Sequence, residues 1–344
     1  MRVREFAEGD RAAWDRWVAA SRFGTVFHDI AWRDIIAETM RHRPTYLLAE
    51  DDGGICGVLP LFILRTRVFG TMAVSLPFVN YGGVAADSEQ AATALLDEAR
   101  AVAASHGCKY VEFRHRHLPL GASELPTNTF KVTSVLDLSG GAEHVWKTKL
   151  HQNVRNKVRK AGKNGVVVHS GPGELGAFYE VFAVGQRNHG TPVLSRRFFE
   201  KMIDRLGDAV HVHVARFEGR PIGGKVTVDF GDTRYFIWSA SLREANRYAP
   251  VAAMNWHAIE DAANAGLQKI DFGRSTEGSS SQSFKKYWGV ETEQLYWQYH
   301  LLAGDRMPGL NTGNPKFEMA IRIWRRLPVW LSKIVGPLLA RLLP

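Results

Sequence analysis

GLQKIDF, residues 266–272, and GCKYVEF, residues 107–113, share one pattern: glycine, three residues, a β-branched apolar residue, an acid and phenylalanine. Each closes an alanine-rich segment of helical periodicity, Val251–Ala265 in one case and about Ser88–Ser105 in the other. The same order of elements surrounds both. The helical stretches Arg11–Ala20 and His28–Met40 precede strand-like runs at Thr45–Glu50, Ile55–Thr66 and Thr71–Val79. Glu174–Arg187 and Arg196–Leu206 likewise precede Val210–Phe217, Ile222–Phe230 and Thr233–Ser241. Strand-like runs also cover Lys109–Arg114, Lys131–Leu138, Gln268–Phe272 and Glu293–Leu302. A repeated motif inside a repeated order predicts two copies of one α/β module, with mixed sheets flanked by helices. The expected limits are 1–143 for the first module, 144–310 for the second, and 311–344 for a linker, Asn311–Pro315, with an amphipathic tail.

The chain has 344 residues, of which 45% are hydrophobic and 23% charged, enough apolar side chain for two ordinary cores. Its two cysteines, Cys56 and Cys108, are too few for a disulfide framework or a thiolate zinc site, and they fit a reducing compartment. No window supplies about 20 uninterrupted apolar residues, and MRVREFAEGD lacks a signal-peptide core, so a cytoplasmic protein is expected. A net charge of +9 favours anionic partners: RNA, phosphorylated small molecules or an anionic membrane.

The second copy of the motif runs on into DFGRSTEGSSSQSFKKYWG, residues 271–289. A strand end is followed by a Gly/Ser loop and then by Lys285 set among Phe284, Tyr287 and Trp288. Loops on a rigid scaffold carry a large share of functional groups, and a lysine packed among rings is positioned and partly desolvated. A surface loop with Phe284 and Trp288 as core anchors is the structural alternative.

Between the modules, Lys147, Lys149, Arg155, Lys157, Arg159, Lys160 and Lys163 occur without an acid among them. Trp146, Leu150, Val154, Val158 and Ala161 fall three or four apart, which predicts a basic helix over 144–163 with one packed face. Unrelieved cations fit an anion-binding face, for phosphate or RNA backbone. In the tail, 316–344, Phe317, Ile321, Trp324, Leu327, Leu331, Ile334, Leu338 and Leu342 form an apolar stripe beside Arg322, Arg325, Arg326, Lys333 and Arg341. Such a stripe suits either a helix in a membrane interface, giving peripheral membrane contact, or one docked on protein.

Other chemistry signals are sparse. His115 with His117, and His211 with His213, have the alternate spacing that puts both rings on one strand face, but no third donor or HExxH pattern completes a zinc site. There is no G-x-S-x-G or phosphate-loop motif. Tyr81–Gly83 and Gly223–Gly224 read as turns or close-packed backbone. Arg187, Asn188, His189, Gly190, Thr191 and Pro192 form a polar turn, either a substrate-contacting loop or a helix cap.

These residues together resemble a family. NVRNKVRKA (153–161) followed by Gly165–Val166 is similar to the "R…R-K-A…G-V" segment of the FemABX aminoacyl and peptidyl transferases, and Asp271–Ser275 with Phe284–Gly289 resembles their "D-F-G-R … F-K-x-x-W-G" ending. Arg187–Pro192 and Leu76–Gly83 are most similar to the FemAB-like branch associated with exosortase/PEP-CTERM systems. The resemblance spans roughly 1–302. It implies two tandem GNAT-like domains and N-acyl transfer, in which an amine acceptor attacks an activated acyl carbon. The donor would be an aminoacyl-tRNA ester or an acyl-CoA thioester as co-substrate, with no tightly bound cofactor and no metal. The acceptor would be an amine of an envelope or exopolysaccharide glycan, a lipid-linked precursor or a peptide. Lys285 would stabilise the developing oxyanion. Arg274, Asp271, Phe284, Tyr287, Trp288, Arg187, Asn188, His189 and Tyr81 would contact substrate, and Lys147, Arg155 and Arg159 would hold phosphates. Two departures stand out. No coiled-coil arm is present, and RYAPVA (247–252) replaces the glycine-bearing R/Q-x-x-G-x-G/A loop of ordinary GNAT enzymes. A non-catalytic paired-GNAT scaffold, binding RNA or membrane, is the alternative.

Overall fold

The structure is a computed structural model that describes residues 1–66, 69–117, 125–304, 307 and 315–343. The chain forms two compact units. One comprises 1–132, 294–310 and 341–344, and the other 133–293 and 311–340. The expected boundary at 143/144 therefore falls inside the second unit, and residues 311–314 of the expected linker lie outside the described residues.

In the first unit β1 (Arg2–Glu5), α1 (Arg11–Ala20), α2 (Ala31–Met40) and β2 (Arg43–Pro44) lead into β3 (Leu47–Asp51) and β4 (Gly54–Leu59). The run expected as one strand over Ile55–Thr66 is two, because Pro60 cannot donate to a ladder. β4 pairs with β3, whereas β5 (Phe62–Thr66) pairs with β6 (Gly70–Val74) in another sheet. After β7 (Ala85–Ala86), Ser88 caps α3 (Glu89–Ser105) by accepting from the Ala91 amide. The αL glycine Gly107 then turns the chain into β8 (Tyr110–His115), which runs parallel to β6. Leu95, Leu96 and Ala99 of α3 pack on Leu47, Leu59, Ile63, Val111 and Phe113.

β9 (Thr127–Asp137) carries the chain into the second unit. There the basic segment is not one helix. α4 (Gly141–His144) runs into a π-helical turn over Val145–Lys149, extended backbone at Leu150 breaks it, and the His151 side chain caps α5 (Gln152–Lys163). Next come β10 (Val167–Ser170), α6 (Leu175–His189), α7 (Arg196–Leu206), β11 (Val210–Phe217), β12 (Arg220–Phe230), β13 (Thr233–Ser241), α8 (Pro250–Asn264) and β14 (Lys269–Asp271). β10 to β13 are antiparallel neighbours, and β14 lies parallel to β13 and antiparallel to β9. The two copies of the sequence motif thus occupy equivalent places. Each follows the crossover helix through an αL glycine and opens the strand that pairs parallel to an earlier one.

β12 is sandwiched between helices. A Cβ on Gly223 would stand 2.8 Å from Met254 of α8, and one on Gly224 would stand 2.9 Å from Phe178 of α6. The glycine pair lets helices approach closely from both faces, and strand alternation then sends Lys225 to the α8 face. β15 (Ser275–Thr276), α9 (Ser280–Lys286) and β16 (Glu291–Leu301) follow, β16 returning to the first unit to pair with β8. Finally α10 (Pro315–Arg326) and α11 (Val329–Ala340) pack on α6. Trp324 donates to the Thr191 carbonyl at 3.0 Å, Lys333 pairs with Glu180, and Gly336 lies against Val193. Among the described residues no helix is long and apolar enough to cross a membrane.

Candidate active site

The site is built where β14 ends. Asp271 is buried and accepts from the Thr133 hydroxyl at 2.6 Å and from the Gly273 amide at 2.7 Å, which fixes the start of the Gly/Ser loop. Gly273, at φ 76°, reverses the chain. Ser279 caps α9 through the Gln282 amide, and Gln282 in turn accepts from the Gly278 amide at 2.8 Å. Phe284 and Trp288 anchor α9 in the core made by Val154, Ala252, Ala258, Ile259 and Phe272.

This anchoring buries Lys285, which is 7% exposed. Its Nζ donates to the Gly273 carbonyl at 2.6 Å and to the Arg274 carbonyl at 3.2 Å. An ammonium has three N–H donors, so one is left over after these two bonds. Burial, with the charge of Arg274, pushes its pKa down to about 8, against the opposing pull of Asp271. It is therefore largely charged at neutral pH.

A second lysine lies in this core. Lys225 is 4% exposed, with Nζ 3.8 Å from the centroid of the Phe236 ring. It has no ion pair among the described residues, and burial together with the charge of Lys285 lowers its pKa to about 7. A desolvated cation–π contact returns about 2 kcal/mol. The shift itself corresponds to a cost on the order of 5 kcal/mol for the charged form, so burial wins. Opposite Lys225 on β11 sits His213, fully buried and held neutral chiefly by burial. Its ring contacts Ser170 Oγ at 2.7 Å and Thr227 Oγ1 at 3.2 Å, and Ser170 Oγ lies 2.9 Å from His257 Nε2. His211 and His213 do share a strand face, but the His211 Nε2 is engaged by Asp229 at 2.9 Å.

Beside α9 are two grooves. One of 300 Å³ is lined by Asn153, Lys157, Ala252, Phe284, Tyr287 and Trp288. Another of 380 Å³ is lined by Lys157, Lys160, Arg247, Pro250, Val251 and Phe284, at the first turn of α8. Here Ala249 holds φ 56°, the left-handed conformation usually given to glycine, and Pro250 starts the helix. The RYAPVA loop thus reaches a left-handed turn without glycine. A positive helix end flanked by three cations is a setting for phosphate.

The other expected residues are distributed as follows. Arg159 stacks on Trp146, with its guanidinium 5.4 Å from the ring centroid, and Lys147 is exposed and paired with Glu143. Arg155 donates to the carbonyls of Trp146, Lys147 and Leu150 and so closes the turn before α5. The cations lining the groove are instead Lys157, Lys160 and Arg247. Arg187, Asn188 and His189 end α6, on the opposite face of the sheet from α8. Arg187 donates to Asn188 and to the Leu327 carbonyl, and Arg325 donates to the His189 carbonyl, so this turn meets the tail and is not brought to Lys285. Tyr81 belongs to the first unit, where it is buried and its hydroxyl accepts from Arg116 at 2.8 Å. Lys225 was not singled out from sequence. Its only signal is a lysine inside the strand-like run IGGKVTV.

Comparison with known proteins fits this geometry. Residues 148–286 match the family model described as an acetyltransferase (GNAT) domain. Among solved structures, FemX is similar with a TM-score of 0.67 at 15% identity, over 86% of this chain and 97% of that one. The C-terminal domain of a putative lysylphosphatidylglycerol synthetase from Agrobacterium fabrum gives 0.57 at 11% identity, over 85% and 91%. A tandem GNAT protein from the clavulanic acid biosynthesis pathway gives 0.53 at 12% identity, over 89% and 99%. The fold is a tandem of two GNAT-like domains. No curated protein sequence matches the chain.

Proposed function

We propose that the protein is an N-acyltransferase of the FemAB type. It passes an acyl or aminoacyl group from an activated ester or thioester to an amine of a glycan, a lipid-linked precursor or a peptide of the cell envelope. The observation that carries this reading is Lys285, a buried ammonium tied to two carbonyls with one donor to spare. As the amine attacks, the carbonyl electron pair moves to oxygen. A fixed cation beside that oxygen helps most at the transition state, when the charge appears. The donor's phosphates rest at the first turn of α8, on Lys157, Lys160 and Arg247.

Two donor classes fit a phosphate-seeking groove, acyl-CoA and aminoacyl-tRNA. Binding of the purified chain to each, over a salt titration, separates them. Tight acyl-CoA binding lost in Lys157→Ala/Lys160→Ala/Arg247→Ala supports the thioester route, and charged-tRNA binding with a steep salt slope supports the ester route. Binding of neither donor would turn the reading toward a scaffold.

The tail supports a peripheral membrane site for this reaction. Its inner face is docked on α6, but Met319, Ile323, Trp330, Ile334 and Leu338 are each at least half exposed, beside the exposed Arg322 and Arg326. An apolar outer face bordered by arginines matches an anionic bilayer surface. Flotation with vesicles containing phosphatidylglycerol is expected for the full chain, and is expected to be lost when Trp330, Ile334 and Leu338 are all changed to serine. Equal flotation of the two would remove the idea.

A further inference from the structure

We infer that Lys225 is the proton acceptor of the site, its amine taking a proton from the acceptor's ammonium beside Lys285. This inference rests on the acyl-transfer reading and deepens it. An amine substrate arrives at neutral pH as R–NH3⁺, which has no lone pair to attack with. A base in the site would free that lone pair, and Asp271, the acid whose charge acts on Lys285, is a poor candidate: it is buried, and one of its oxygens accepts from both Thr133 Oγ1 and the Gly273 amide.

The geometry favours Lys225. The close fit of α8 on Gly223 and of α6 on Gly224 fixes β12, and alternation turns Lys225 to the α8 face. A register shift between Val226 and Thr227 immediately follows it. It is buried against Phe236 with no acid partner among the described residues. The charge that acts on it is that of Lys285 on α9, and His213 stands opposite it on β11; neither is an acid. Two buried lysines whose charges act on one another cannot both be charged at low cost. Lys285, tied to two carbonyls, keeps its proton, and Lys225, over a ring, is the one that gives its proton up.

The step balances. Neutral Lys225 takes one proton from R–NH3⁺. The freed amine forms the new C–N bond while the carbonyl electron pair moves to oxygen beside Lys285. Collapse re-forms the carbonyl and breaks the C–S or C–O bond, and the leaving thiolate or alkoxide departs with the second amine proton. Lys225 then returns its proton to water.

The test compares wild type with Lys225→Met, a substitution of similar length suited to a buried site, on two acceptors: an alkylammonium, and hydroxylamine, which is already neutral at pH 7. The expected result is a loss of about 100-fold with the alkylammonium and about threefold or less with hydroxylamine. Equal losses with both acceptors, or no loss with either, would overturn the inference. If wild type acylates neither acceptor, the acyl-transfer reading fails instead, and a second readout still decides about Lys225. Competitive amine labelling across pH, resolved by peptide mass spectrometry, should find Lys225 titrating near pH 7 in the full chain. The midpoint should rise in Lys285→Met, where the neighbouring charge is gone. Titration at the ordinary lysine value in both proteins would sink the proposal.

Discussion

In the proposed mechanism Lys285 and Lys225 divide the chemistry because their surroundings differ by a few atoms. Two carbonyls hold the proton on one, and an aromatic face with no acid lets it leave the other. Removal of the Lys285 charge should lower kcat by about 10²–10³ with little change in KM, since the contact strengthens only at the transition state. Lys225 also leaves a mark on stability. Its folded pKa, about 7, lies below the unfolded value of about 10.5, so the unfolded chain binds the extra proton between these limits. Stability should therefore rise with pH across that window, by up to a few kcal/mol, and urea midpoints of Lys225→Met should show a smaller rise, the part due to Lys285 remaining. A rise of equal size in the variant would show that Lys225 is not the source. The burial of Lys285 was legible in the sequence because aromatics mark its place at short spacing. Lys225 was not, because its burial depends on two glycines that admit helices from distant parts of the chain.

The basic segment keeps its predicted packed face, but the buried Leu150 and the His151 cap interrupt it, so Arg155 is consumed by the preceding turn while Lys157 and Lys160 face a groove. The Arg187–Pro192 turn reads as a polar loop in isolation, and only the docked tail, more than a hundred residues later, shows what its carbonyls and Arg187 are for. At the start of α8, the left-handed Ala249 carries strain of about 1–2 kcal/mol. Ala249→Gly should relieve part of it, raising stability by roughly 0.5–1 kcal/mol in urea unfolding while leaving donor affinity nearly unchanged. A destabilised variant would mean that the alanine methyl packs favourably where strain is argued.

At the scale of the whole chain, the repeated motif was the most informative signal. It located both crossover helices and both parallel strands, because a glycine-ended helix feeding a buried strand is specified locally. The boundary between units was not legible, since β9 and β16 each belong partly to both and no composition change marks the crossing. Three buried histidines of the first unit, His28, His42 and His115, have pKa values lowered to about 4, 4 and 3, chiefly by burial. The unfolded chain protonates these groups first, so stability should fall as pH drops from about 6.5 toward 4, and circular dichroism melts over that range should show it. A flat melting temperature there would contradict their neutral burial.

The most direct test is amide formation under single-turnover conditions, followed by mass spectrometry, with acyl-CoAs and charged tRNA as donors and amine acceptors supplied to wild type and Lys285→Met. Product is expected from one donor class with wild type, with about 100-fold slower formation in the variant and its fold intact by circular dichroism. Turnover in Lys285→Met close to that of wild type would contradict the proposed role of Lys285.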